Sequence, residues 1–432
     1  MIRLCPYPWI FRGILALLLL GSAASVSAQT GFPLARQEVV ATRFGTIPEN
    51  FPQHPEGLTA DDDGNVYAAS FELTQFLASS TSGSGTETHP LRRLLPAVGK
   101  DADGKPRVPF AFNYIYVFGQ DGELKTAMPM PSFSVPLGIW VVKDNLYIND
   151  VINGNELRYK LPLSPTSVPA QTYSICGGFK QSFPGGDPAT FCALNGNYNG
   201  PDGRIYMADN GAGPDVAPPG FLKGRIFALD PVTGVSSQFF PPPGGSSPSQ
   251  TPNACGSTPV SQPDPRTDPS TALDIVVGGF PEFGVNGIAF NRAGTALFMD
   301  NMSDGGIFKL TLTNCDTQCQ AGEFSTFVAP CNGIIVGPDN MDFDDADNLW
   351  VASGQNMTVV ALDPQGHVIR QVGSFMGFSQ GGSPLSLLQP SGIVFKHGTI
   401  FVGNEANSGL IPATTPINLN ELKATTIANF HP

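Results

Sequence analysis

Pro338-Asp339-Asn340-Met341-Asp342-Phe343, followed after a short turn by Asn348-Leu349-Trp350-Val351, is the stretch on which the fold turns. Both runs alternate apolar and polar residues over too few positions for a helix, so they read as strands. The Asp and Asn residues between them accept the backbone angles of a hairpin turn. A third strand follows at Thr358-Val359-Val360-Ala361-Leu362. An Asp-Pro-x-Gly turn, Asp363 to Gly366, then leads to a fourth.

The same unit recurs on both sides. Pro55-Glu56-Gly57-Leu58 leads to Asp63-Gly64-Asn65-Val66-Tyr67-Ala68, and Pro136-Leu137-Gly138-Ile139-Trp140 leads to Asp144-Asn145-Leu146-Tyr147-Ile148. Asn195 precedes Pro201-Asp202-Gly203-Arg204-Ile205-Tyr206-Met207. Val285-Asn286-Gly287-Ile288-Ala289-Phe290 leads to Ala296-Leu297-Phe298-Met299. Pro390-Ser391-Gly392-Ile393-Val394-Phe395 leads to Gly398-Thr399-Ile400-Phe401-Val402. Arg225 to Leu229 supplies another third strand, with its Asp-Pro-x-x-Gly turn from Asp230 to Gly234. Six four-stranded units, at a period of roughly 50 residues where compact, predict an all-β, six-bladed β-propeller. The segment Glu38-Val39-Val40-Ala41-Thr42 is expected to pair near Thr425-Thr426-Ile427-Ala428 and close the ring, which hides both sheet edges. Stretches 79–109 and 241–268, rich in Ser, Gly, Pro and Thr, read as surface insertions.

Composition agrees. Charged residues make up 14% of the chain, against 49 Gly and 41 Pro, as in a turn-rich β protein. A net charge of −13 leaves no basic stripe for nucleic acid. Arg3 and Arg12, the apolar run Gly13 to Leu20 and Val26-Ser27-Ala28 read as a secretory signal over residues 1–28. Residues 29–432 are then one mature domain, secreted or periplasmic and without a membrane span. Cys176, Cys192, Cys255, Cys315, Cys319 and Cys331 remain, an even set that favours disulfides in an oxidising compartment. Cys176 with Cys192 fits a loop staple. Cys315 and Cys319 fit a local pair, or sharing with Cys255 and Cys331.

Residues at the start of each innermost strand converge on a propeller's axis. Here they are Glu56, Leu137, Asn195, Asn286, Asp339 and Ser391. Glu56, Asn195, Asn286 and Asp339 offer the oxygens that hard cations prefer, with Ser391 a weaker fifth. This donor set predicts one divalent metal: Ca²⁺ in first place, with Mg²⁺, Mn²⁺ or Zn²⁺ as alternatives. No organic cofactor site is indicated.

Pro55-Glu56-Gly57, Asn286-Gly287-Ile288, and Pro338-Asp339-Asn340-Met341 through Leu349-Trp350-Val351-Ala352 resemble the gluconolactonase/regucalcin (senescence marker protein) family. The resemblance implies the metal ligands Glu56, Asn286 and Asp339, with Asn195 as the further pocket Asn. Asp339-Asn340 also resembles, more distantly, the calcium-binding paraoxonase-like lactonases. The family's sugar lactonases carry an Arg two residues before the pocket Asn, where this chain has Ala193. The expected function is metal-dependent hydrolysis of a small-molecule lactone or ester by a monomer, with Asp339 orienting or deprotonating water. The alternative is a non-catalytic secreted propeller that binds a ligand or protein partner and keeps a structural metal.

Other motifs read as decoys. Gly377-Phe378-Ser379-Gln380-Gly381 fits G-x-S-x-G but precedes Gly-Ser-Pro rather than a helix. Asp61 to Glu72 has an EF-hand's length without its glycine at position six. His54, two residues before Glu56, reads as a loop histidine or as a proton shuttle near the metal. Sequons stand at Asn301 and Asn356.

Overall fold

In blade five the hairpin turn is built around one carboxylate. Asp344 accepts hydrogen bonds from the N–H groups of Ala346 and Asn348, from Asn348 Nδ2 and from Trp350 Nε1. Blade one repeats the device: Asp61 accepts from Asn65 N, Asn65 Nδ2 and the Tyr67 hydroxyl. In blade three Asp202 accepts from Tyr206 and Arg204. The aromatic near the middle of these second strands is therefore buried by its ring and tied to the preceding turn by its one polar atom. Asp61 is occupied as a turn cap, as expected if the EF-hand length is coincidental.

The computed structural model describes residues 41–47, 54–71, 113–131, 134–182, 190–210, 224–241, 284–302, 305–330, 332–406 and 425–432. These form six four-stranded antiparallel sheets, and thus a six-bladed, all-β propeller. The innermost strands are His54–Ala60, Pro136–Val142, Leu194–Asn199, Val285–Phe290, Pro338–Phe343 and Pro390–Lys396. Blade six takes its outermost strand from the N-terminal side: Thr42–Ile47 pairs antiparallel with Thr425–Phe430, Thr42 opposite Asn429 and Ile47 opposite Thr425. The expected partner segment is right. The strand begins at Thr42, and residues 38–40 lie outside the described ones. A two-stranded hairpin, Phe375–Phe378 with Pro384–Ser386, stands between blades five and six. It carries the G-x-S-x-G motif in a turn that no helix follows.

Apolar side chains cluster between neighbouring blades. Phe298, Met341, Phe343, Leu349 and Val351 join blades four and five. Trp350, Val359, Ile393 and Phe430 join five and six. Ile47, Leu58, Phe118, Val394 and Ile427 join six and one. Each blade thus depends on its neighbours for its core, and the ring leaves no blade uncovered.

All six inner strands carry a bulge at one position. In blade one Pro55 pairs with Ser70 and Leu58 with Ala68, so three steps on one strand face two on the other. The same slip falls between Pro136 and Ile139, Leu194 and Asn197, Val285 and Ile288, Pro338 and Met341, and Pro390 and Ile393. A bulge re-aims the side chain it carries. Here it carries Glu56, Leu137, Asn195, Asn286, Asp339 and Ser391. The following residue is glycine in five blades. A Cβ on Gly138 would press into the backbone oxygen of Asn195, and one on Gly57 into that of Leu137. Gly138→Ala is expected to destabilise by about 1–3 kcal/mol through this inter-blade clash. The exposed Gly381→Ala, whose nearest atom is 3.9 Å away, serves as the control. Thermal melts that move equally for both would refute the packing argument.

Cys176–Cys192 is a disulfide, as its spacing suggested, and of the two readings open for Cys315 the structure has the local pair Cys315–Cys319. Cys255 and Cys331 lie outside the described residues, as do residues 1–28, the 79–109 insertion and all of 241–268 except Pro241. Asn301 is buried, at 4% exposure, so its sequon cannot take a glycan in the folded chain. No helix among the described residues is long and apolar enough to cross a membrane.

Candidate metal centre

The bulged residues of four blades come together. Asn286 Nδ2 donates to Asp339 Oδ1 at 2.9 Å, and Asn340 Nδ2 reaches the same oxygen at 3.3 Å. Asn195 hydrogen-bonds Glu56, and Glu56 feels the charge of Asp339. Glu56, Asn195, Asn286 and Asp339 are 4%, 5%, 2% and 4% exposed. Burial, followed by the charges of Asp339 and Glu405, pushes the Glu56 carboxyl well above the usual range. Burial also raises Asp339 to about 7, against the pull of its Asn286 bond. Without a cation, these two acids would not both ionise at neutral pH.

Leu137 contributes no donor. The Ser391 hydroxyl donates to the Pro55 carbonyl at 2.7 Å. That bond braces blade six against blade one. His54 opens the inner strand of blade one, and its Nδ1 bonds the Glu405 carbonyl at 2.8 Å. A carbonyl only accepts, so Nδ1 is the donor in this bond.

Glu405 is the residue that sequence reading missed. It is 2% exposed and its charge reaches Glu56. It follows the second strand of blade six, where the sequence shows only a strand ending at Asn404. Met302 was missed too; its sulfur accepts from Asn286 Nδ2 at 3.5 Å.

The donor set can be tested for fit to a cation. Glu56 Oε2, Asn195 Oδ1 and Asn286 Oδ1 are buried acceptors with no hydrogen-bond donor. Such orphans are rare in folded proteins and call for a partner. An ion that takes six to eight oxygens, filled out by water, answers that need. Among the described residues no group of three or more His, Cys, Asp or Glu is placed to hold a metal. Half of this donor set is therefore amide oxygen, which suits calcium better than zinc.

Further along the inner strands, side chains from several blades meet. Tyr198, from blade three, stacks on Trp140 of blade two with centroids 3.8 Å apart. Its hydroxyl donates to Asp342 Oδ1 of blade five at 2.8 Å, while Phe395 N of blade six donates to Oδ2. Four blades are tied by this plug. It lies three residues beyond the bulged positions, about 10 Å along the axis at 3.3 Å per residue. The space that remains beside it, lined by Gly57, Gly138, Asn197 and Asn340 among others, is about 10 Å³. That is about one water.

Fold and centre together define a six-bladed propeller with an oxygen-lined axial site. No protein-family model and no curated protein sequence matches the chain. Solved structures do. A luciferin-regenerating enzyme is 10% identical with a TM-score of 0.52, over 90% of this chain and 94% of that one. The calcium-binding protein regucalcin from Agrobacterium tumefaciens is 13% identical with a TM-score of 0.50, over 90% and 93%. A gluconolactonase from Xanthomonas campestris is 11% identical with a TM-score of 0.44, over 85% and 92%. At such identities the likeness is one of fold: the chain has the propeller architecture of regucalcin-type proteins.

Proposed function

We propose that this protein is a divalent-metal-dependent hydrolase of lactones or related esters, with its metal on the propeller axis. The observation that carries this reading is the set of three buried oxygens without a donor among the described residues, on Glu56, Asn195 and Asn286, beside the Asp339 carboxylate. Glu56, Asn195, Asn286 and Asp339 would hold the ion, calcium in first place with Mg²⁺, Mn²⁺ or Zn²⁺ as alternatives. When bound, the ion polarises the substrate carbonyl and stabilises the charge that develops on its oxygen. Asp339, its Oδ1 fixed by Asn286 and Asn340, has Oδ2 left to orient a water and take its proton. The Tyr198–Trp140 plug keeps bulk water from the far side. Ala193 stands where the sugar lactonases have an Arg, so the substrate differs from a sugar acid lactone at that contact. Support from relatives is limited to fold and to the calcium binding named for one neighbour, and fold alone does not fix chemistry.

The same reading makes residues 1–28 a signal peptide and 29–432 a single exported, monomeric domain. The two disulfides accord with an oxidising compartment. A panel of lactones and carboxylic esters, assayed with calcium and with chelator, tests the function. Hydrolysis that chelator abolishes and calcium restores is expected. Calcium binding with no hydrolysis of any member would instead identify a non-catalytic binding propeller.

A further inference from the structure

Glu156 is fully buried, at 0% exposure, on the third strand of blade two. No lysine, arginine or histidine among the described residues pairs with it. Arg158, two residues along the same face, bonds the Tyr147 hydroxyl instead. Among the described residues, the one hydrogen bond Glu156 receives is from Asn197 Nδ2, on the inner strand of blade three, at 2.8 Å to Oε1. Directly opposite Glu156 in the antiparallel register stands Asn149, also 0% exposed. Asn149 Nδ2 donates to the backbone oxygens of Asn195 and Gly196.

Three acceptors here lack a donor: Glu156 Oε2, Asn149 Oδ1 and Asn197 Oδ1. The amides cannot be turned over to cure this. Flipping Asn149 would set its oxygen against two backbone oxygens, and flipping Asn197 would set its oxygen against Glu156 Oε1. Each NH₂ is committed to an acceptor, so each carbonyl oxygen must face the remaining space. Three acceptors left without a donor at this depth are costly unless something positive completes them.

We propose that Glu156, Asn149 and Asn197 form a second cation site between blades two and three, distinct from the axial centre and taking calcium or a similar hard cation. The three side chains supply one carboxylate and two amide oxygens, the donor types of the axial site. Asn197 also lines the residual channel space of about 10 Å³, room for about one water beside it. The site has a structural consequence. Asn149 grips the backbone of the bulge that aims Asn195 at the axis, so an ion here fixes that bulge from behind. The rival occupant is a proton on Glu156, donated to one of the two amide oxygens.

Native mass spectrometry of the full chain in calcium chloride separates the two. The wild type is expected to hold two ions. Glu156→Gln is expected to hold one, since the amide removes the charge, whereas Glu56→Gln loses the axial ion and keeps the other. If a proton occupies the site, the wild type holds one ion and Glu156→Gln, an isostere of the acid, leaves the count unchanged. That result overturns the proposal while leaving the axial metal intact. Should Glu156→Gln fail to fold by circular dichroism, the wild-type count and Glu56→Gln still decide. Two ions falling to one in Glu56→Gln supports the second site; one falling to none refutes it.

Discussion

Asp339→Asn is expected to lower kcat on any lactone or ester the protein hydrolyses by roughly 10²-fold or more at saturating calcium, the usual scale for losing a general base. The substitution keeps the side chain's size and an oxygen that can accept from Asn286 and Asn340. It removes the negative charge and the basic oxygen. Folding should survive, because blade five is held by Met341, Phe343, Leu349 and Trp350, all at or below 2% exposure. Metal-free stability at pH 8 should not fall and is expected to rise, since one of the carboxylates crowding Glu56 is gone. That pairing of lost turnover with retained stability separates a chemical role from a structural one. Full turnover in Asp339→Asn at saturating calcium would remove this residue from the mechanism. Asn286→Ala should act differently, through weaker metal binding that excess calcium partly rescues.

Chelation is expected to destabilise the protein more strongly the higher the pH. Burial and mutual charge raise Glu56 well above its ordinary value and burial raises Asp339 to about 7, whereas unfolded Asp and Glu titrate near about 4. Below about pH 4 both states are protonated and the metal-free fold keeps its full stability. Between about 4 and 7 the folded protein holds protons that the unfolded chain has released. Stability without metal therefore falls as pH rises through that window. Calcium binds the ionised pair, so its contribution grows over the same range, reaching about 2.7 kcal/mol at one hundred times its Kd. Melting temperatures in chelator and in calcium should nearly coincide at pH 5 and separate at pH 8. A gap that is absent, or equal at both pH values, would show that the two carboxylates are not the metal's charge partners.

What is local along the chain was legible in the sequence. Strand alternation, the Asp and Asn turns and the six-fold recurrence are properties of short windows, and they set the blade count. The repeat ladder also picked out Glu56, Asn195, Asn286 and Asp339, because equivalent positions in a ring must face one axis. The closing strand's partner could be read, but its start at Thr42 could not, since register is fixed by side-chain packing against blade one and not by the segment's own pattern.

What depends on distant parts of the chain meeting was decided by the tertiary structure alone. Tyr198 reaches Asp342 across 144 residues because the bulge in each inner strand sets which side chains face the axis. Ser391 occupies a ligand position by sequence, and its hydroxyl donates to the Pro55 carbonyl, a partner 336 residues away. Glu405 follows an unremarkable strand and matters only because blade six closes beside blade one. Glu156 lies on a third strand, where the repeat predicts packing and no chemistry. Its buried carboxyl has meaning only once Asn149 and Asn197 come beside it, leaving Glu156 Oε2 and both amide oxygens without a donor among the described residues. Repetition specifies the frame because every blade solves the same burial problem. The chemistry of the channel differs from blade to blade, and it is fixed by which unlike side chains the closed ring forces into contact out of water.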